Sequence, residues 1–263
     1  MIYVTGDCHG DFDKFSNHYF PEQKELTKND VVIIAGDFGG LWELKEDKRE
    51  KWWMDWLEER NFTTLVVTGN HENYERINQL PKKEWKGGSV GVIRPSVLVA
   101  GRGEIYDIDG IKVFCFGGAR SHDISDGILD SNDPKWKDKA RFLDSRGKYM
   151  YRVKGISWWE EELPTKEEIE HSRENLAKHD YKVDLIVTHC CPSSIQSQFL
   201  PYGEYDVLTD YLNEIKHTAA YDHWYFGHYH FNAPIDEKHG CLYQYILPWD
   251  NERELTNDEY LYK

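Results

Sequence analysis

Ile2-Tyr3-Val4-Thr5-Gly6-Asp7-Cys8-His9-Gly10 is a short apolar run that stops at a glycine and then presents an aspartate and a histidine. A run of this length, rich in branched and aromatic residues, reads as a buried strand rather than a helix. The arrangement recurs along the chain. Val31–Ala35 leads into Gly36-Asp37-Phe38-Gly39-Gly40, and Leu65–Thr68 into Gly69-Asn70-His71-Glu72. Leu185–Thr188 ends at His189, and Trp224–Phe226 leads into Gly227-His228-Tyr229-His230. Each run delivers Asp, Asn or His just past the C-terminal end of a predicted strand. In open α/β sheets that edge is where ligands bind, and glycine there allows a tight turn and close backbone approach.

Between the first three runs the sequence predicts helices at Asp11–Phe20 and Glu46–Arg60, the latter with Trp52, Trp53, Trp56 and Leu57 on roughly one face. Strand–helix alternation of this kind implies right-handed βαβ units, a parallel sheet and an α/β fold. Val97–Ala100, Ile105–Ile108 and Ile111–Phe116 are broken by Gly101, Gly103 and the Asp109-Gly110 turn, and predict a second, partly antiparallel sheet. Residues 121–165 lose the core-strand pattern and read as a polar, Trp-rich insertion with some helix, a candidate lid. Thr165 ahead of Glu168 reads as the cap of a helix to about Lys178, and Asp206–His217 as another amphipathic helix. With no repeat or linker, one domain over residues 1–263 is expected.

Composition narrows the class. Of 263 residues, 40% are hydrophobic and 14% aromatic, which excludes a disordered or collagen-like chain. No apolar run approaches the roughly 18–20 residues that span a bilayer. The N-terminus lacks the pattern of a secretory signal, and five irregularly spaced Cys make no disulfide framework, so a cytoplasmic location is expected. A formal charge of −15 argues against broad nucleic-acid binding. It leaves room for a phosphorylated substrate, because bound cations reverse the sign locally.

Singly, each motif has a bland reading: a surface turn, a helix cap, a satisfied core histidine. Together on one sheet edge they point to metal ligation. Imidazole, carboxylate and amide oxygen suit Mn, Fe, Zn or Ni. Seven candidate ligands are too many for one tetrahedral ion but enough for two ions sharing a carboxylate. Such a pair, roughly 3.5–4 Å apart, clamps a phosphoryl group.

This order of motifs, Asp-x-His, Gly-Asp, Gly-Asn-His-Glu, single His and Gly-His-x-His, resembles that of the calcineurin-like metallophosphoesterases. The resemblance implies a four-layer α/β/β/α sandwich of two mixed sheets flanked by helices. It also implies that Asp7, His9, Asp37 and His230 hold one metal, and that Asp37 bridges to a second completed by Asn70, His189 and His228. Manganese is the first metal to expect. A hydroxide bridging the two ions would attack phosphorus. His71 would be the catalytic residue, a general acid or a stabiliser of the leaving oxygen; its alternative is a histidine that orients Asn70.

The second motif departs from the family's protein phosphatases, which continue Gly-Asp-x-x-Asp-Arg-Gly. Here Gly36-Asp37-Phe38-Gly39-Gly40-Leu41-Trp42 lacks that phosphate-gripping Arg. The departure tilts the expectation toward a phosphodiesterase acting on a nucleotide-like or other small diester, ahead of a phosphomonoesterase or protein Ser/Thr phosphatase. Gly117-Gly118-Ala119-Arg120-Ser121-His122-Asp123 resembles a segment of small bacterial and phage members, with Arg120 and His122 as candidate substrate contacts. Trp158 and Trp159 either stack on a substrate ring or, as expected of large aromatics, pack the insertion onto the body. Cys8, Cys190 and Cys191 are expected to be buried rather than ligating. A non-catalytic binding scaffold of the same fold is the rival from another class. Against it, an intact ligand set without metal would crowd costly polar groups together.

Overall fold

The computed structural model describes residues 1–200 and 205–250; residues 251–263 of the domain expected over 1–263 lie outside the described residues. The chain begins with β1 (Ile2–Thr5), β2 (Val31–Ala35), α1 (Lys48–Glu58), β3 (Thr63–Val67) and α2 (Tyr74–Asn78). It continues through β4 (Lys82–Trp85), β5 (Gly88–Arg94), β6 (Val97–Ala100), β7 (Glu104–Ile108) and β8 (Ile111–Phe116). The insertion holds β9 (Gly127–Asp130), α3 (Trp136–Ser145) and β10 (Tyr151–Lys154), and α4 (Lys166–Lys178) follows. Then come β11 (Leu185–Thr188), α5 (Ser193–Gln196), α6 (Val207–Thr218) and β12 (His223–Phe226). The short strands β13 (Ala233–Pro234), β14 (His239–Cys241) and β15 (Ile246–Pro248) complete the described part.

Two mixed sheets result, ordered β15-β1-β2-β3-β6-β5-β4 and β13-β14-β12-β11-β8-β7. Within the first, β1, β2, β3 and β6 run parallel; within the second, β8, β11, β12 and β14 do. Side-chain alternation along each strand sorts the core into three slabs. Ile2, Val4, Val31, Ile33, Leu65 and Val67 face Val113, Cys115, Leu185, Val187 and Tyr225 across the gap between sheets. Their neighbours Tyr3, Val32, Ile34 and Val66 point outward to Met54 and Leu57 of α1 and to Phe12, Phe15 and Phe20. On the far side, Phe114, Phe116, Ile186, Trp224 and Phe226 pack under Ile169 and Leu176 of α4 and Leu208, Leu212 and Ile215 of α6. Three cores between four layers give the α/β/β/α sandwich.

Several local expectations need correction. The motif-bearing strands do not share one sheet: β1, β2 and β3 lie in the first, β11 and β12 in the second. Val97–Ala100 joins the first sheet, not the second, pairing with β3 and β5. All four of its residues are buried, as a central strand covered on both faces must be. The chain then crosses to the other sheet through Gly101–Gly103, and β7 and β8 form the expected hairpin at Asp109-Gly110. Asp11–Phe20 is not a helix; it contains one 3-10 turn, Asp13–Phe15. Pro21 forces Phe20 out of the helical region, at φ −130° and ψ 69°, and the buried Phe12, Phe15 and Phe20 anchor an irregular path instead.

In α1 the buried stripe is Glu50, Met54 and Leu57, at helical spacing, while Trp52 is 56% exposed and turned away from the core. Strands β4 and β5 carry no clear signal in the sequence. Lys82-Lys83-Glu84-Trp85 is polar because it is a sheet edge that alternates between exposed and half-buried positions. The insertion contains helix, as its sequence implies, and also a parallel β9–β10 pair. Trp159 is buried and meets Trp42 edge-on, with ring centroids 6.0 Å apart, so it does pack the insertion onto the body; Trp158 is half-buried. Thr165 and Glu168 form the expected capping box of α4, and a second box, Asp206 with Thr209, caps α6.

Candidate metal centre

The loops leaving β1, β2 and β3 on one sheet and β11 and β12 on the other converge. Cys8 and His9 donate their backbone N–H groups to Asp37 O at 3.0 and 2.8 Å, tying the first loop to the second. Asp37 Oδ1 accepts the backbone N–H of His71 at 2.7 Å, and Asp7 Oδ1 accepts that of His228 at 2.9 Å, which joins the two sheets. His189 Nδ1 lies 2.8 Å from Ala35 O, so a proton there fixes the ring and aims Nε2 at Asn70 Oδ1 and Asp37 Oδ1, each 3.2 Å away. Lys14, half-buried, donates to Gly6 O, Asp7 O and Tyr243 O at 2.9 Å each and braces the first loop.

Backbone conformation shows how closely the geometry is prescribed. His9, Asp37, His228 and His230 all sit at positive φ, 50°, 43°, 71° and 54°, a region that residues with a Cβ rarely occupy. Such strain persists only where surrounding contacts over-determine it, and it gathers at functional sites. The adjoining glycines clear the space. A Cβ on Gly36, itself at φ +93°, would lie 2.0 Å from His189 Nδ1, and one on Gly227 would lie 2.2 Å from Asp7 Oδ1.

Among the described residues two groups of potential ligands emerge, Asp7, His9, Asp37 and His230, and Asp37, His189 and His228, with the atoms of each group within 4.8 Å of one another. Asp37 belongs to both. Their chemistry fits divalent cations better than it fits itself. Asp7 Oδ2 is buried without a hydrogen bond of good geometry, although His230 Nε2 lies 3.0 Å away. His9 Nε2 and His230 Nε2 face each other at 3.0 Å, and His122 Nε2 and His228 Nε2 at 2.6 Å. In each such pair one nitrogen donates and the other must be unprotonated, the form in which an imidazole ligates a metal.

The electrostatics agree. Burial pushes the Asp7 carboxyl up, but His230, His9 and the charge of His189 outweigh it and hold Asp7 well below the usual carboxylate range. Asp37 is likewise pushed up by burial and then held far down, chiefly by His189. His189 answers in kind: burial would lower it, yet Asp37 and Asp7 raise it to about 9. Burial lowers His71, and the Arg152 guanidinium lowers it further against the pull of Asp37.

His122 is stacked on His228, with centroids 4.5 Å apart at 29°, whereas Arg120 is exposed. A guanidinium reaches the site from β10: Arg152 Nη2 lies 3.1 Å from His71 Nε2. Nothing in the local sequence marks Arg152, because it is 81 positions away from His71. Cys8, Cys190 and Cys191 are buried free thiols outside both ligand groups.

Beside His9 and His71 opens a cavity of about 390 Å³, lined by Trp42 and Trp53 and by the charged Glu43, Asp47 and Arg49. Among the described residues no helix is long and apolar enough to cross a membrane. No curated protein matches the chain. The family model of calcineurin-like phosphoesterases matches residues 1–232, and with the site's geometry this establishes that the chain belongs to that family, hydrolases of phosphoric esters that generally use a binuclear divalent metal centre.

Proposed function

We propose that Asp7, His9, Asp37 and His230 hold one divalent ion, and that Asp37, Asn70, His189 and His228 hold the other, with manganese the first metal to test. The observation that carries this reading is the pair of ligand groups sharing one buried carboxylate. Two such ions would withdraw charge from the phosphoryl oxygens and acidify a water for in-line attack.

The chain's own residues do the rest. Asp37 fixes the backbone of His71 through its Oδ1, so the imidazole is held beside His9, with ring centroids 5.2 Å apart. From there it presents an N–H to the oxygen of the departing alcohol. The cavity flanking both histidines receives that alcohol. Its aromatic walls suit a flat ring, which supports a nucleotide-like or other small diester as substrate. A specific observation favours a second reading. The Arg missing from the second motif would have a counterpart in Arg152, a cation beside His71 that a phosphomonoester dianion could use. Five buried, unpaired cysteines are consistent with a reducing, cytoplasmic setting.

The test compares kcat/KM of the manganese-loaded protein on bis-p-nitrophenyl phosphate and on p-nitrophenyl phosphate. A higher value on the diester supports the first reading, a higher value on the monoester the second, and turnover of neither counts against both.

A further inference from the structure

The insertion contributes more to the site than a cover. Its entry, Ser121-His122-Asp123, touches two motif residues directly and reaches a third through Arg152. Asn70 Nδ2 lies 3.5 Å from Ser121 Oγ, and His122 meets His228. Asp123 accepts from Arg152, which in turn meets His71. Arg152 is only 8% exposed. Its Nε lies 2.8 Å from both Asp123 oxygens, its Nη1 donates to Ser157 O at 2.9 Å, and its Nη2 lies 2.8 Å from Asp123 Oδ2. The same Nη2 stands 3.1 and 3.4 Å from the two ring nitrogens of His71. A guanidinium is donor only, whereas a neutral imidazole has one N–H and one accepting nitrogen, so Arg152 Nη2 can donate to His71. Arg152 has five N–H donors and His71 keeps its own N–H, so the pair, held side by side next to a cluster of potential ligands, has donors left for an oxyanion bound against both.

Building on the phosphoesterase reading, we propose that Arg152 is a substrate-contacting residue that binds a non-bridging phosphoryl oxygen beside His71, with Asp123 and Ser157 O holding its side chain in place beforehand. The insertion thereby completes the anion site from a different part of the chain than the second motif. A buried, pre-oriented Arg loses little freedom on binding, which is why the brace matters. Asp123 is the more exposed partner, at 41% against 9% for Arg152, so water screens its charge and the guanidinium keeps a net attraction for an anion.

The rival role is purely positional: Arg152 would orient His71 and never touch the phosphoryl group. Orthophosphate binding separates the two, because it needs no turnover and no leaving group. Manganese-loaded wild type, R152M and R152K are to be compared by calorimetric titration with orthophosphate, with metal content and Tm as controls. R152M is expected to weaken phosphate binding roughly 10- to 100-fold, the loss of one charge-assisted contact. Its manganese content should stay at the wild-type level, and R152K should recover part of the affinity. Unchanged phosphate affinity in folded, metal-loaded R152M overturns the proposal. If R152M does not fold, R152K decides alone: a loss of threefold or more supports the contact, and wild-type affinity overturns it. A wild type that binds phosphate but turns over neither ester would count against the hydrolase reading while the Arg152 comparison still stands.

Discussion

Asp37 carries more of the site than any neighbouring residue, since its carboxylate belongs to both ligand groups while also anchoring the backbone of His71. D37N keeps the shape but removes a charge that two cations would share. It should lower kcat by at least about 100-fold and cut bound manganese, read by elemental analysis alongside rate. H71Q separates ligation from chemistry. His71 belongs to neither group, so the variant should retain near-normal metal while kcat falls by about 100-fold, the usual scale of general acid–base assistance. Loss of metal from H71Q would instead make it a histidine that orients Asn70. At this scale the motifs are legible in the amino-acid order alone, because each candidate ligand lies within a few positions of a strand end. The positive φ of His9, Asp37, His228 and His230 is not, since backbone strain leaves no mark in residue type.

Elements translate these local features into position, and their terminal contacts are separable from the chemistry. In α4, Thr165 Oγ1 accepts Glu168 N–H at 3.1 Å and Glu168 Oε2 accepts Thr165 N–H at 2.8 Å. T165A should cost about 1 kcal/mol in urea unfolding and leave kcat untouched, as α4 packs on the outer face of the second sheet. Glu162, on the 3-10 turn after β10, behaves differently. Burial is the main cause that raises its carboxyl to about 8, against the hydrogen bonds from Ser121. Its Oε1 is buried without a partner, as suits a protonated acid. The unfolded chain releases this proton near the ordinary carboxylate value while the folded chain keeps it. The folded state therefore binds more protons between about pH 4.5 and pH 8, and stability falls as pH rises through that window. E162Q removes this slope. Its stability relative to wild type should rise by at most about 1.4 kcal/mol per pH unit there, measured by urea unfolding at both ends of the window. Equal slopes in the two proteins would refute the assignment.

For the whole molecule, the relevant fact is that the site joins two sheets. Asp7 and Asp37 come from the first, and His189, His228 and His230 from the second, with Asp7 Oδ1 already accepting from His228 N–H. Cations bound there would cross-link the sandwich as well as serve the reaction. Chelation should therefore lower Tm, and added manganese should restore it in a concentration-dependent way, since a ligand bound only by the folded state stabilises by RT ln(1 + [L]/Kd). A Tm indifferent to manganese would mean that the loops hold their places without it.

Contiguous residues specify the strand-end motifs, the caps of α4 and α6, the hairpin at Asp109-Gly110 and the α/β class, because periodicity and turn chemistry act locally. Long-range packing settles the rest: the division of the motif strands between two sheets, the edge strands β4 and β5, and the arrival of Arg152 at His71. Those outcomes depend on which buried faces meet. Val97–Ala100 is apolar on both sides and could have entered either sheet, and only packing between β3 and β5 selects one. Arg152 carries no local pattern at all; the β9–β10 pairing and the Asp123 carboxylate bring it to the centre.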